Sequence, residues 1–136
     1  MTAAPRGFAR SGREVDRLDG APVVMARDAG QWEAWLGDHH QELAGAWLMI
    51  AKKNTGVATV TQPEALDGAL CFGWIDSVRR SLDATYYLQR YSRRRRGSAW
   101  SAINANRAEA LSAAGRMREA GLTEVERAKA AGRFHT

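Results

Sequence analysis

A carboxylate set among apolar side chains is the first place to look for chemistry, and Asp76 is one. From Trp74 onward the chain reads as an extended segment, in which Trp74, Asp76, Val78, Arg80 and Leu82 fall on one side. A charge on a face of Trp, Val and Leu needs either a partner or water. Further along, Trp100, Ile103, Asn104, Arg107, Leu111 and Ala114 recur at helical spacing and share a helix face. Those two apolar faces each need covering, so they are expected to meet. Arg107 then neutralises Asp76, because a guanidinium fork can hold both carboxylate oxygens, and Asn104 satisfies what remains. Trp74, Asp76, Arg79, Trp100, Asn104 and Arg107 are thus the candidate ligand-binding set, suited to a small molecule or an anion. The same residues have a purely structural reading, a buried ion pair that fixes strand-to-helix register and adds little net stability.

A second constellation is cationic. Eight arginines and a single acid, Asp83, lie between Arg79 and Arg107, in a chain whose net charge is only +5. Arg90, Arg93, Arg94, Arg95 and Arg96 form its densest part and make a candidate patch for an anionic ligand or polyanion. Tyr87, Tyr91 and Trp100 nearby supply the rings that single-stranded nucleic acid stacks on. The plain alternative is a solvated loop that keeps the protein soluble. No helix-turn-helix, zinc-finger or RNA-recognition signature accompanies the patch.

Catalytic chemistry finds little support. Cys71 lies between Leu70 and Phe72 at the end of an apolar run, so a small buried hydrophobe is expected, and His39 or His40 form no motif with it. The two histidines are adjacent, point apart and lack a Cys/His cluster to complete a tetrahedral site. Glu64 and Asp67 are three apart, but Glu64 is engaged in capping. There is no phosphate loop, nucleophile elbow or dinucleotide fingerprint. No catalytic residue, metal or cofactor is expected.

The elements that must position these residues centre on Thr61 to Asp83. Thr61 and Glu64 have capping-box spacing, Pro63 sits in the first turn, and Leu66, Ala69 and Leu70 share a face of a helix over 62–72 that Gly73 ends. Two strands follow, joined near Asp83-Ala84. The second carries Tyr87, Gln89 and Tyr91 on one side and Tyr86, Leu88 and Arg90 on the other. Upstream, Val23-Val24-Met25 suits a short edge strand. Asp28 caps a helix with a Trp32, Trp35, Leu36 stripe, and Ala46–Ile50 suits a buried central strand. Asn54-Thr55-Gly56 is a turn. Ser98 is placed as the cap of a long helix ending at Gly115, and Thr123 with Glu126 as the start of a short last helix ending at Gly132. The pattern predicts one compact α+β domain over 21–136, a small, mainly antiparallel sheet against three to four helices. Residues 1–20, with few large apolar side chains, read as a disordered tail.

At 136 residues the chain can bury one core without staples. One cysteine excludes an internal disulfide framework and fits a reducing compartment. No run is long enough for a membrane span, and residues 1–20 lack the apolar core of a secretory signal, so a cytoplasmic location is expected.

The string Glu-Ala-Leu-Asp-Gly-Ala-Leu-Cys-Phe-Gly-Trp-Ile-Asp (64–76) resembles the hallmark of the YdeI/OmpD-associated, or bacteriocin-protection, family. The likeness continues through Arg79, Tyr86, the Arg-rich loop, Ser98–Asn104 and Gly115-Arg116-Met117, from about Val23 to Phe134. Longer relatives carry a helical segment after the step that is here Gly132-Arg133-Phe134, so the resemblance is to a short form. It implies a role in tolerance to bacteriocins or antimicrobial peptides. The expectation is therefore a non-enzymatic binding protein. The alternatives are an enzyme or small-molecule binder using the Trp74 set, and a nucleic-acid-binding accessory protein using Arg90–Arg96.

Overall fold

A computed structural model describes residues 11–136. Its sheet begins inside the stretch expected to be a disordered tail. Residues 1–10 lie outside the described part, but Arg13–Leu18 forms strand β1 and pairs antiparallel with β2, Ala21–Met25. The turn explains it. Asp19 and Gly20 both take positive φ, 52° and 76°, the two-residue hairpin geometry that Asp-Gly favours. A hairpin can recruit a charged strand that has little apolar content of its own. It also moves β2 from the expected edge to an interior position.

Asp28 caps α1, Ala29–His39, by accepting the Gln31 N–H. The helix crosses over to β3, Gly45–Ala51, which runs parallel to β2. Thr61 and Glu64 close the expected capping box at the start of α2, Gln62–Cys71. Gly73, at φ 76°, then turns the chain into β4, Trp74–Ser81, and β5, Tyr86–Arg93, returns antiparallel between β4 and β3. The strand order is β1-β2-β3-β5-β4. With α3, Ala102–Ala113, and α4, Glu119–Ala130, this is an α+β fold with, among the described residues, a mixed five-stranded sheet and four helices.

Both late helices start elsewhere than expected. Ser101, not Ser98, caps α3 by accepting the Asn104 N–H, because Ser98 Oγ is taken by Arg94 Nη1 at 2.8 Å. For α4, Thr123 lies within the helix and donates to Glu119 O, and Arg118 is the N-cap without a side-chain bond. The Arg118 N–H instead donates to Cys71 O at 3.0 Å, so α4 begins where it docks on the end of α2.

The helices bury their apolar faces on one side of the sheet. That core joins Trp32, Trp35 and Leu36 of α1, Leu66, Leu70 and Cys71 of α2, Ala105, Ala108 and Leu111 of α3 and Val125 of α4 to Val24, Leu48, Ile50, Trp74 and Tyr91 of the sheet. The opposite side holds a small buried cluster, Ala21, Val23, Trp47 and Leu88, to which no helix contributes among the described residues. Among the described residues the sheet thus has a covered face and an open one.

A bulge in β4 decides which residues reach which face. Asp76 pairs with Tyr91 and Arg79 with Gln89, so β4 spends one extra residue between them. The alternation therefore flips. Trp74, Asp76 and Arg79 lie on the covered face, whereas Val78 and Arg80 pass to the open one. Hence Val78 and Leu82, expected to share Trp74's apolar face, are 59% and 47% exposed.

Candidate anion-binding surface

The structure does not assemble the Trp74 set into one site. Arg107 Nη2 bonds Asp67 Oδ1 at 2.8 Å and Pro63 O at 2.9 Å, clamping α3 to α2 rather than to Asp76. The reason is that α3 packs on α2 through Ala105, Ala108 and Leu111, a stripe rotated from the expected one, and Ile103 is 72% exposed. Asn104 sits half-buried, and its backbone N–H, not its amide, makes the bond to Ser101 Oγ. Asp76, also half-buried, makes no ion pair or hydrogen bond among the described residues. It lies opposite Tyr91, whose hydroxyl is buried without a partner among the described residues. Burial first, and then the Asp76 charge, push the Tyr91 hydroxyl pKa upward.

The other members separate too. Arg79 lies over the Tyr87 ring, 4.4 Å from its centroid, and donates from Nε to Gln89 Oε1 at 3.2 Å. Trp74 is fully buried edge-on to Trp35, with centroids 6.3 Å apart and its indole N–H unpartnered among the described residues. It lines a cleft of about 320 Å³ with His40, Phe72, Glu119 and Glu124. Trp100 is held beneath Arg94 and beside Phe134.

Cysteine chemistry is closed off. Cys71 is buried, and burial first of all raises its thiol pKa to about 11. The histidine rings bond back to their own helix, His39 Nδ1 to Trp35 O and His40 Nδ1 to Leu36 O, both at 2.8 Å. Among the described residues no three His, Cys, Asp or Glu side chains could share a metal ion.

The open face is where the cations gather. The register puts Arg90 directly opposite Trp47, and the guanidinium lies over the indole at 5.5 Å. Arg80, delivered to this face by the bulge, covers the same ring at 5.0 Å. The pair keeps Trp47 only 2% exposed although no helix among the described residues shields it. Gly45 makes room: a Cβ there would sit 2.7 Å from Arg90 Nη2. Around this stack runs a groove of about 860 Å³ whose walls include Arg80, Arg90, Arg93, Arg94 and Arg95, with Asp19 as its one acid. Asp19 contacts Arg80 at 3.3 Å in an exposed pair, worth little in water.

The arginines of the expected patch have different duties. Arg93 Nη2 ties down the carbonyls of His40, Gln41 and Leu43, at 3.0, 2.9 and 3.1 Å, and so closes the end of α1 onto β5. Arg94 is 6% exposed, lies 3.6 Å over Trp100 and bonds Ser98. Burial pushes its pKa down to about 10, against the opposing pull of Glu124 and Asp76. Arg95 and Arg96 are exposed, and their side chains make no bond among the described residues. Tyr91 and Trp100, expected as stacking rings, are buried, which leaves neither for a nucleobase. Spacing along the chain does not single out Arg80, Trp47 and Gly45. Only the β4 bulge and the β3–β5 register bring them together.

No curated protein and no solved structure matches the chain. Residues 24–124 match the family model described as a domain of unknown function, DUF8412. That span holds the end of β2, all of β3 to β5, α1 to α3 and all the groove arginines, and with most of its length matched the chain belongs to this family.

Proposed function

We propose that this is a non-enzymatic binding protein whose open sheet face takes an anionic polymer. The observation that carries the reading is the groove of about 860 Å³ walled by five arginines and one aspartate. Arg80 and Arg90 are stacked on Trp47 and so held in place before a ligand arrives, which lowers the ordering cost of binding. With Tyr91 and Trp100 buried, recognition rests on backbone charge and not on base stacking, so a polyanion of repeated charge suits it better than a read sequence. The tolerance role implied by the resemblance to the bacteriocin-protection family fits the same surface in one way only. A basic groove repels cationic peptides, so such a role runs through an anionic partner rather than through capture of the peptide. The lone cysteine in thiol form suits a reducing compartment, and among the described residues no helix is long and apolar enough to cross a membrane. We place the protein in the cytoplasm.

The test is anisotropy of a labelled single-stranded oligonucleotide as the anionic probe, across a salt series. Affinity should fall steeply with salt. Arg80→Ala and Arg90→Ala should each weaken binding and flatten the log–log slope by about 0.7 to 0.9 for each phosphate no longer neutralised. A flat salt response in the wild-type protein, or no binding at low salt, overturns the reading.

A second reading, a small-molecule binder, is favoured by the cleft of about 320 Å³ lined in part by Trp74, whose buried indole N–H has no partner among the described residues. Trp74→Phe keeps a ring and removes that donor. A small-molecule screen by thermal shift that gives the same hits for both proteins would remove this reading.

A further inference from the structure

We propose that the arginine-walled cavity behind the 94–98 loop is a seat for one tetrahedral oxyanion of the phosphate type. The cavity measures about 30 Å³ and is lined by Arg94, Arg95, Arg96, Arg127 and Arg133, with Glu124 as the only carboxylate among the described residues. That is room for about two water centres, a volume that admits one small ion and excludes a larger ligand. The inference rests on the reading of the groove as an anion-binding surface, with which this cavity shares Arg94, Arg95 and Ser98.

Two of the five guanidiniums are incomplete. Arg94 Nε and Arg133 Nε are both buried with no hydrogen-bond partner among the described residues. Arg94 is 6% exposed, yet no carboxylate comes within ion-pair distance of it among the described residues, and its single side-chain bond is to the neutral Ser98 hydroxyl. Glu124 and Asp76 act on it only through space. Glu124 is itself drawn to Arg127, at 3.4 Å. A desolvated guanidinium whose buried Nε finds no acceptor is costly unless something completes it.

The geometry of what is missing favours a tetrahedral acceptor. The lining arginines come from three segments, the 94–98 loop, helix α4 through Arg127, and the chain after α4 through Arg133. A planar carboxylate offers two oxygens in one plane. A phosphate offers three or four, spread over a tetrahedron, with up to two charges to spread among several cations. Trp100 below Arg94 fixes the plane of that guanidinium and keeps water from its lower face. The phosphate can be the free ion or one unit of the polymer that lies in the adjoining groove.

The test uses the full chain with two probes, inorganic phosphate against chloride at equal ionic strength, read as thermal shift, and the labelled oligonucleotide, read as anisotropy. Wild-type protein should show a saturable rise in Tm with phosphate that chloride does not give. Arg133→Met and Arg94→Met keep bulk and remove charge, and each should weaken the response about tenfold or more, the worth of a charge-assisted bond. Arg133 lies after α4 and is the variant to rely on should Arg94→Met fail to fold. Arg80→Ala, outside the cavity, should leave the phosphate response unchanged while weakening the oligonucleotide, so that loss of the groove and loss of the seat are separable. A phosphate response that depends on Arg133 assigns the seat to the free ion. An oligonucleotide affinity that depends on Arg133, without a free-phosphate response, assigns it to the polymer. If neither probe loses affinity in Arg133→Met and in folded Arg94→Met, the proposal is overturned.

Discussion

Gly121→Ala is a substitution whose sign separates two kinds of reasoning. Gly121 lies in the first turn of α4, and α4 carries Glu124 and Arg127 to the arginine cavity. Helix propensity alone says that alanine should stabilise this position by about 1 kcal/mol. Packing says the reverse. A Cβ on Gly121 would lie 2.7 Å from Leu70 O and 2.8 Å from the Cys71 carbonyl carbon, and it would also press on Cys71 O. These are backbone atoms at the end of α2, with no side chain to swing aside. To regain ordinary contact α4 must retreat by about 1 Å, which stretches the Arg118 N–H bond to Cys71 O from its present 3.0 Å. Overpacking of this kind costs about 3 kcal/mol at the rigid end of its range, and a weakened hydrogen bond adds up to about 1 kcal/mol. Set against the propensity gain, the net loss is about 2 to 3 kcal/mol, a fall in Tm of roughly 6 to 12 °C for a chain of this size. Thermal unfolding followed both by far-UV circular dichroism and by tryptophan fluorescence measures it. A rise in Tm would refute the close docking of α4 on α2, and with it the placement of Glu124 and Arg127.

Thr61→Ala removes the side-chain half of the capping box, the Glu64 N–H bond to Thr61 Oγ1 at 3.4 Å, and leaves the return bond from the Thr61 backbone N–H to Glu64 Oε1 at 3.0 Å. It should cost about 1 kcal/mol in urea denaturation, and an unchanged midpoint would count against the cap. Cys71, buried and with its pKa raised to about 11, should resist a thiol reagent at mildly alkaline pH until urea is added. Cys71→Ala should lose about 1 kcal/mol through a small cavity and leave anion binding intact; rapid labelling of the native protein would contradict the burial. Asp83 accepts the Tyr86 and Thr85 backbone N–H groups, both at 2.8 Å, and these with Lys52 hold its pKa below the ordinary 3.8. Its folded pKa being the lower, its stabilising contribution is present above pH 3.8 and fades as pH falls through the folded value. Asp83→Asn should therefore reduce the loss of stability on acidification, and identical acid limbs for the two proteins would refute the link.

Local signals in the sequence carry over wherever one element suffices. The Thr61–Glu64 box, the Asp28 cap, the apolar run of β3 and the left-handed glycines after α2, α3 and α4 each depend on residues a few positions apart. Class and layering follow from such pieces, because a half-apolar sheet and several amphipathic helices have few ways to cover one another. What fails requires knowledge of a second element. Ser98 has the chemistry of a cap, and it loses that role only because Arg94, four residues earlier, reaches it first. The stripe expected on α3 is off by a fraction of a turn, since α3 covers α2 and not the sheet. Arg107 does find a carboxylate, as a cation on a half-apolar face must, but Asp67 on α2 is nearer than Asp76.

The binding face turns on a single inserted residue. Arg79 and Arg80 are neighbours and chemically identical, and without the bulge strict alternation would carry Arg80 to the covered face along with Trp74 and Asp76. A charge there would meet the helix-side core, and Trp47 would lose one of the two guanidiniums that shield it. The extra residue between Asp76 and Arg79 exchanges the two arginines: Arg79 settles over Tyr87 on the covered face, and Arg80 joins Arg90 over Trp47 on the open one. A bulge leaves almost no mark in composition or periodicity, because Ser77 and Val78 suit a regular strand as well. The five-arginine groove is therefore visible in the sequence as a quantity of charge, but its geometry is not. Two of its walls, Arg93 and Arg94, are held by backbone carbonyls and by Trp100, and the other two over Trp47 are held by the register of β3 and β5. A surface four of whose five cations are fixed by a structural contact differs physically from a solvated charge run, which bears an ordering cost each time it binds.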